Sequence, residues 1–378
     1  MRSIFSTYRK PQTSVFLLFL FLIFSLYIVA LMTNSIFLPP KFENDADTIR
    51  LLIHGQIDQV RTIIDGFRNT ALIYRILGAE TFFPEWLIII ITNIAYWFAA
   101  LKVLDNSALH RQNFFIIIFC FGWIFCTALF LSRYSKEMVA LIPLFFICFS
   151  PLKTPLQKIL TFSVPLFYVL FFRQYWALSL ALYFGFYYLF FRFNATAAVK
   201  LILMIAFYFS PFLFNSIFRA SYLTDWRVIA NLDSFDPNRA HSAIDNLLIN
   251  SGPFTDYINA LYGWLYLNIP IKLFFSDVFY YKAFALFQLG SVAILFSSIY
   301  AEITHRHERR INDDPFYSRC LSFVLAYSLT QAIFEPDVGS FLRHQIILTV
   351  PLIYILYPKR IVCKQIQVEL NRACIPAS

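Results

Sequence analysis

Charge is what this chain has least of. Asp, Glu, Lys and Arg make up 14% of its 378 residues, where ordinary soluble domains carry about 25%. A water-facing surface cannot be built on that supply. Glycine is scarce too, with 9 in the whole chain. No Gly/Ser linker, internal repeat or GxxxxGK phosphate loop occurs, which argues against an ATP-driven pump. The 6 cysteines, Cys120, Cys126, Cys148, Cys320, Cys363 and Cys374, form no CxxC pair and are read as packing residues. His54, His110, His241, His305 and His307 show no metal-ligand spacing, so neither a metal nor another cofactor is expected. The net charge of +9 contains no basic block longer than 305–310, a stretch between two hydrophobic runs that reads as a loop and not as a nucleic-acid patch.

What the chain has is hydrocarbon. It is 59% hydrophobic and 20% aromatic, with a mean hydropathy of +0.63. Long apolar runs recur over roughly 13–37, 83–102, 112–132, 137–150, 157–172, 175–191, 198–217, 278–301, 317–334 and 344–358. This is the signature of an all-α, polytopic transmembrane helical bundle of about ten spans, forming one integral membrane domain over 1–378. The first run follows Arg2, Arg9 and Lys10 but is too long for a signal-peptide core and is expected to be a permanent span. With the N-terminus inside, every short inside loop is basic and the outside carries a slight acidic excess, so both termini are expected in the cytoplasm.

Two outside segments are long. In 38–82, Ile49, Ile53, Ile57, Val60, Ile64, Phe67 and Ala71 recur at helical spacing opposite Arg50, Asp58, Arg61, Asp65 and Arg68. The pattern predicts an amphipathic helix lying on the membrane–water interface. Residues 218–277 form the larger loop, with an apolar piece at Tyr257–Ile269 that reads as either a second surface helix or a re-entrant segment. The runs 137–150 and 157–172 are short and carry Pro143, Pro151, Pro155 and Pro165, the composition of helices beside a water-filled cavity.

An ionisable side chain at mid-bilayer costs roughly 2.5–3.5 kcal/mol, so charges at span ends need partners or a purpose. Three tight outside turns carry them: Ser132-Arg133-Tyr134-Ser135-Lys136-Glu137, Arg173-Gln174-Tyr175-Trp176, and Glu335 to His344, which crowds Glu335, Asp337, Arg343 and His344. The large loop adds Arg219, Asp225, Arg227, Asp236 and Arg239. A guanidinium is a fixed fork of donors that suits phosphate, so Arg133, Arg173 and Arg343 with Lys136 point to a phosphate at the membrane surface and hence a lipid-linked substrate. Tyr134, Tyr175 and Trp176 stand where they could stack on sugar, or simply serve as belt aromatics. Asp45 and Asp47, preceded by Glu43, read either as a carboxylate pair for a cation or acceptor hydroxyl, or as the acidic start of a helix.

The layout of spans with a large late loop, the Ser135-Lys136-Glu137 turn, the Arg173 turn and the Arg343-His344 pair together resemble the Wzy-type repeat-unit polymerases of O-antigen and capsule synthesis. The likeness covers the chain in topology and rests on short motifs; the loop arginines show no repeated pattern of the kind such polymerases often carry. It implies a multi-pass bacterial inner-membrane glycosyltransferase with periplasmic outer loops and no nucleotide-sugar or metal requirement. Such an enzyme moves a growing glycan from undecaprenyl pyrophosphate onto a second lipid-linked repeat unit, with inversion, and can work beside a chain-length regulator. Arg343, Arg173, Arg133 and Lys136 would then form a pyrophosphate clamp. Arg219, Arg227 and Arg239 would guide the acceptor, and Asp337, Glu335 or His344 would serve as base. Two other classes compete. A single-transfer enzyme using a polyprenyl-phosphate sugar would place its chemistry on Asp45 and Asp47. A lipid-linked oligosaccharide flippase would bury charges mid-span and repeat its halves.

Overall fold

A computed structural model describes residues 44–56, 65–108, 114–193, 195–219, 221–233, 243–275, 279–304 and 314–356. The expected first span at 13–37, both chain ends, Glu43, residues 305–310, Asp236 and Arg239 lie outside the described residues. Each of the remaining hydrophobic runs is helical over most of its described residues. Among the described residues there is no strand, only the isolated bridges Ala79–Phe83 and Ala243–Asp337. Three helical stretches, Glu85–Val103, Ala197–Arg219 and Val338–Leu356, are long and apolar enough to cross a bilayer. The described residues fall into two compact units, divided between Ile142 and Pro143.

The first unit begins with α1 (Asn44–Ile53) and α2 (Gly66–Ile76). These replace the single amphipathic helix expected across 49–71, of which 57–64 lie outside the described residues. The reason for the break is local. Gly55 takes φ +68, and Gln56 N–H bonds back to Leu51 O at 3.0 Å, the left-handed helix ending that glycine permits. Asp65 then starts α2, its carboxylate accepting from Phe67 N–H at 2.8 Å and Arg68 N–H at 3.4 Å. The predicted apolar stripe is nevertheless real. Ile49, Ile53 and Ala71 pack in one cluster with Tyr74, Ala79, Ile88 and Tyr134, while Leu51, Leu72 and Ile76 are exposed on other faces. Next come α3 (Glu85–Ala108), α4 (Phe114–Leu131) and the start of α5 (Lys136–Phe149). Asn93 joins α3 to α4 by donating to Leu131 O at 2.8 Å, and Trp123 of α4 donates to the Tyr96 hydroxyl at 3.0 Å.

The second unit contains α6 (Pro155–Phe171), α7 (Trp176–Tyr187, continuing through a π-turn to Arg192), α8 (Ala197–Arg219), α9 (Asp225–Asp233), α10 (Pro253–Asn268), α11 (Ile271–Phe274), α12 (Phe279–Thr304), α13 (Pro315–Phe334), α14 (Val338–Gln345) and α15 (Thr349–Leu356). Its centre is α13, every residue of which from Tyr317 to Ile333 is buried, polar ones included. Helices α7, α9, α10, α12 and α15 all pack against it. Two of its buried polar groups find partners across helix interfaces: Ser328 Oγ accepts from Trp264 Nε1 at 2.9 Å, and Gln331 Oε1 from Gln345 Nε2 at 2.9 Å. Two free cysteines, Cys148 and Cys320, are buried in this unit, and Cys126 is buried in the first.

The loop at 218–277 is more structured than a surface segment. Helix α10, which takes up the apolar piece from 257 to 268, buries Asp256, Tyr257, Asn259, Gly263 and Leu267 and packs against α8 and α13. Asp256 takes backbone N–H groups of Leu223 and Thr224 at 2.7 and 2.9 Å and the Thr224 hydroxyl at 2.6 Å, which ties the start of the loop to α10. The prolines do not break the short helices. Pro143 and Pro165 sit inside continuous helices, the cost of a lost N–H being absorbed by neighbours as membrane helices allow. Helix α6 turns Leu156, Ile159, Phe162, Leu166 and Leu170 outward. That stripe suits hydrocarbon, not the water-filled cavity its prolines suggested.

Candidate functional site

The site begins where α13 ends. Pro336 disfavours helical geometry in the residue before it, and Glu335 duly leaves the helix with ψ 122. Asp337 restarts it as the N-cap of α14, accepting from Gly339 N–H at 2.7 Å and Ser340 N–H at 3.0 Å. The corner brings two residues of α14 onto one carboxylate. Ser340 and His344 lie one turn apart on α14 and both reach Glu335. The Ser340 hydroxyl donates to Oε2 at 2.7 Å, and His344 Nδ1 lies 2.5 Å from Oε1. Glu335 and His344 are both buried, at 3% and 7% exposure, so their attraction is poorly screened by water.

Arg173, in the turn between α6 and α7, is buried as well. Its Nη1 donates to the Tyr175 hydroxyl at 3.0 Å, and Tyr175 stacks on Phe334 with ring centroids 5.6 Å apart. Burial pushes the Glu335 carboxyl up, but the charge and hydrogen bond of His344, the Ser340 hydroxyl and the charge of Arg173 outweigh it, leaving the group below its ordinary range. The result is an ionised carboxylate that holds an imidazole by Nδ1, with the Arg173 charge acting on the same carboxyl. Arg343 sits half-buried on the last turn of α14, next to His344.

The other expected site residues fall into three groups. Asp337 is in the corner, but its carboxylate is spent on capping α14. Arg227 is fully buried; it donates to Ala332 O at 3.1 Å and Asn246 Oδ1 at 2.5 Å. Burial lowers its guanidinium to about 10, with nearby acidic groups opposing the fall, so it remains charged near neutral pH. Arg219 is exposed at the end of α8. Arg239 lies outside the described residues.

Arg133 and Lys136 belong to the first unit. Arg133, in the bend after α4, is buried and donates back to Leu129 O of that helix at 3.1 Å. Lys136 pairs with Asp45 at 3.1 Å and stands 3.4 Å over the Phe67 ring. Asp47 pairs with Arg50, which also forks onto Glu85 at 2.9 and 3.0 Å. Asp45 and Asp47 occupy the first turn of α1, where acids offset the helix dipole. Tyr74 holds the turn at Ser135, accepting its N–H and donating to its carbonyl at 3.2 Å. Burial raises the Tyr74 hydroxyl well above its ordinary range, so it serves as a neutral strut.

Sequence reasoning missed Ser340 and the brace made by Arg227. For Ser340 the signal was the Asp337-Val338-Gly339-Ser340 capping pattern, which fixes the phase of α14. For Arg227 the signal was Pro336, which marks unsatisfied carbonyls at the end of α13. No family model matches this chain, and neither does any curated protein or solved structure. The fold and site therefore define an all-α protein with helices fit to cross a membrane and a buried carboxylate–imidazole–guanidinium corner.

Proposed function

We propose that this chain is a multi-pass inner-membrane glycosyltransferase of about ten spans. It polymerises undecaprenyl-pyrophosphate-linked oligosaccharide repeat units into a surface polysaccharide at the periplasmic face. The observation that carries the reading is the Glu335–His344 contact within reach of the Arg173 charge. In the transfer, an acceptor hydroxyl attacks the anomeric carbon of the donor. The new C–O bond forms as the bond from that carbon to the pyrophosphate oxygen breaks, with inversion. His344 takes the hydroxyl proton and later releases it to solvent, while Glu335 holds the ring and stabilises the imidazolium. Arg173 and Arg343 offset charge on the departing pyrophosphate, a role that needs positioned cations and no nucleotide.

The other classes are less well supported. Asp45 and Asp47 face Lys136 and Arg50, and a carboxylate held by a cation is a weak base. Buried Lys200 and Arg319 sit within the first turns of α8 and α13, not at mid-span as a flippase pathway would place them.

The test is the polysaccharide ladder on a gel, from a strain lacking its own copy of the gene and carrying wild type, Glu335→Gln, Arg173→Ala, Arg343→Ala or Asp45→Ala. Collapse to a single repeat unit with the first three variants, and a ladder with Asp45→Ala, is the expected result. A normal ladder with those three and loss only with Asp45→Ala would overturn the reading in favour of single transfer from a polyprenyl-phosphate sugar.

A further inference from the structure

Among the described residues of the second unit, the charge buried deepest is Arg227, at 0% exposure, and the proposed transfer does not use it. Its contacts form a closed ring around the corner. One guanidinium nitrogen donates to Ala332 O, in the last turn of α13, and another to Asn246 Oδ1. Two residues before Asn246, Ile244 N–H donates to Pro336 O at 2.9 Å, and Ala243 bridges Asp337. The segment 243–246 is thus fastened to the corner from one side and to Arg227 from the other.

The need for this ring follows from the sequence. Pro336 ends α13 and has no N–H, so the helix closes without a donor from that residue for Ala332 O, one of the carbonyls a helix leaves over at its end. A guanidinium is a rigid fork able to serve that carbonyl and a second acceptor together. Space has been kept for it. A Cβ on Gly263 would stand 2.3 Å from Arg227 Nη1 and 2.8 Å from Ala332 O, so only glycine lets α10, α13 and the guanidinium meet.

We infer that Arg227 is a positioning residue: by bracing Ala332 and the 243–246 segment it sets the placement of Glu335, three residues beyond Ala332, against His344. This rests on the proposed transfer reaction and departs from the expectation that Arg227 touches the acceptor. It acts through backbone and Asn246, and nothing in its place needs contact with substrate.

The experiment measures repeat-unit transfer in membrane vesicles supplied with the undecaprenyl-pyrophosphate-linked repeat unit, at matched protein level. It compares wild type, Arg227→Met, Arg227→Lys and Asn246→Ala. Asn246 is partly exposed, so its truncation removes one arm of the brace with less disturbance of the core than Arg227→Met. A positioning role predicts that kcat falls at least tenfold in Arg227→Met and severalfold in Asn246→Ala, with KM for the lipid-linked unit unchanged. Arg227→Lys, which keeps one donor for Ala332 O, should recover part of the loss. A rise in KM at constant kcat would overturn the inference and make Arg227 a substrate contact. An unchanged kcat in Asn246→Ala would overturn it as well. Absence of transfer by wild type would instead refute the proposed reaction; the thermal midpoints of the four purified proteins would then still test the brace, which requires Arg227→Met and Asn246→Ala to be lowered and Arg227→Lys to lie between Arg227→Met and wild type.

Discussion

Glu335 Oε1 and His344 Nδ1 lie 2.5 Å apart across nine residues of chain, joined only because α13 stops at Glu335 and α14 starts at Asp337. The carboxyl is held below its ordinary range, so the folded state favours its ionised form. A depressed carboxyl stabilises the fold above the unfolded-state value, and that contribution is lost as pH falls through the lower folded value. Protein purified in detergent should therefore lose thermal stability below the ordinary glutamate range, near 4.5, and Glu335→Gln should flatten that loss. An identical pH profile for the two proteins would show that the pair adds nothing to the native state.

The base and the cap can be separated at Asp337. Its carboxylate accepts two backbone N–H groups of α14, and asparagine caps a helix about as well as aspartate. Asp337→Asn should leave the polysaccharide ladder intact, whereas Asp337→Ala should cost about 1 kcal/mol of stability. In contrast, Glu335→Gln should reduce transfer by about 100-fold or more, the usual range for loss of acid–base assistance. Loss of the ladder in Asp337→Asn would make Asp337 the base and displace His344 from that role.

How much of this was legible beforehand varies with the range of the interaction. Apolar runs long enough to cross a membrane announce their helices, because only a helix satisfies the whole backbone within a single run in hydrocarbon. The break between α1 and α2 was readable at Gly55 and Asp65, yet the unbroken stripe from Ile49 to Ala71 hid it. The crowding of Glu335, Asp337, Arg343 and His344 marked the corner. Which of them would pair was not readable, since a contact nine residues apart has no helical or strand period. Arg227 was least legible. Loop arginines on a membrane protein suggest ligands, and only the folding of α9 and α10 against α13 buries this one.

Arg319 is a second buried guanidinium with a purely structural assignment. It donates to Ile147 O in the last turn of α5 at 3.3 Å and to Ser150 O just past its end at 2.7 Å, and so caps that helix from α13. Arg319→Met should orphan both acceptors at a cost of about 2–4 kcal/mol, read as a lowered unfolding midpoint. Arg319→Lys, with donors but no fork, should fall between. A midpoint unchanged in Arg319→Met would mean that the carbonyls find other donors.

Asp45 and Lys136 provide the decisive contrast with the competing enzyme class. Their 3.1 Å pair is partly buried, with side chains 23% and 15% exposed, and Lys136 also covers the Phe67 ring. If the pair only fastens α1 to the start of α5, then Asp45→Asn and Lys136→Met should each lower stability by roughly 0.5–1 kcal/mol. The double variant should cost less than their sum, since partners in contact are not additive, and polymer length should be unchanged in all three. If Asp45 is instead a base, Asp45→Asn should abolish glycan product while Lys136→Met keeps it, and stability would not separate the two. Measuring unfolding midpoints and ladders on the same three proteins distinguishes a fastening from a catalytic site, because only the first predicts coupling in stability without loss of product.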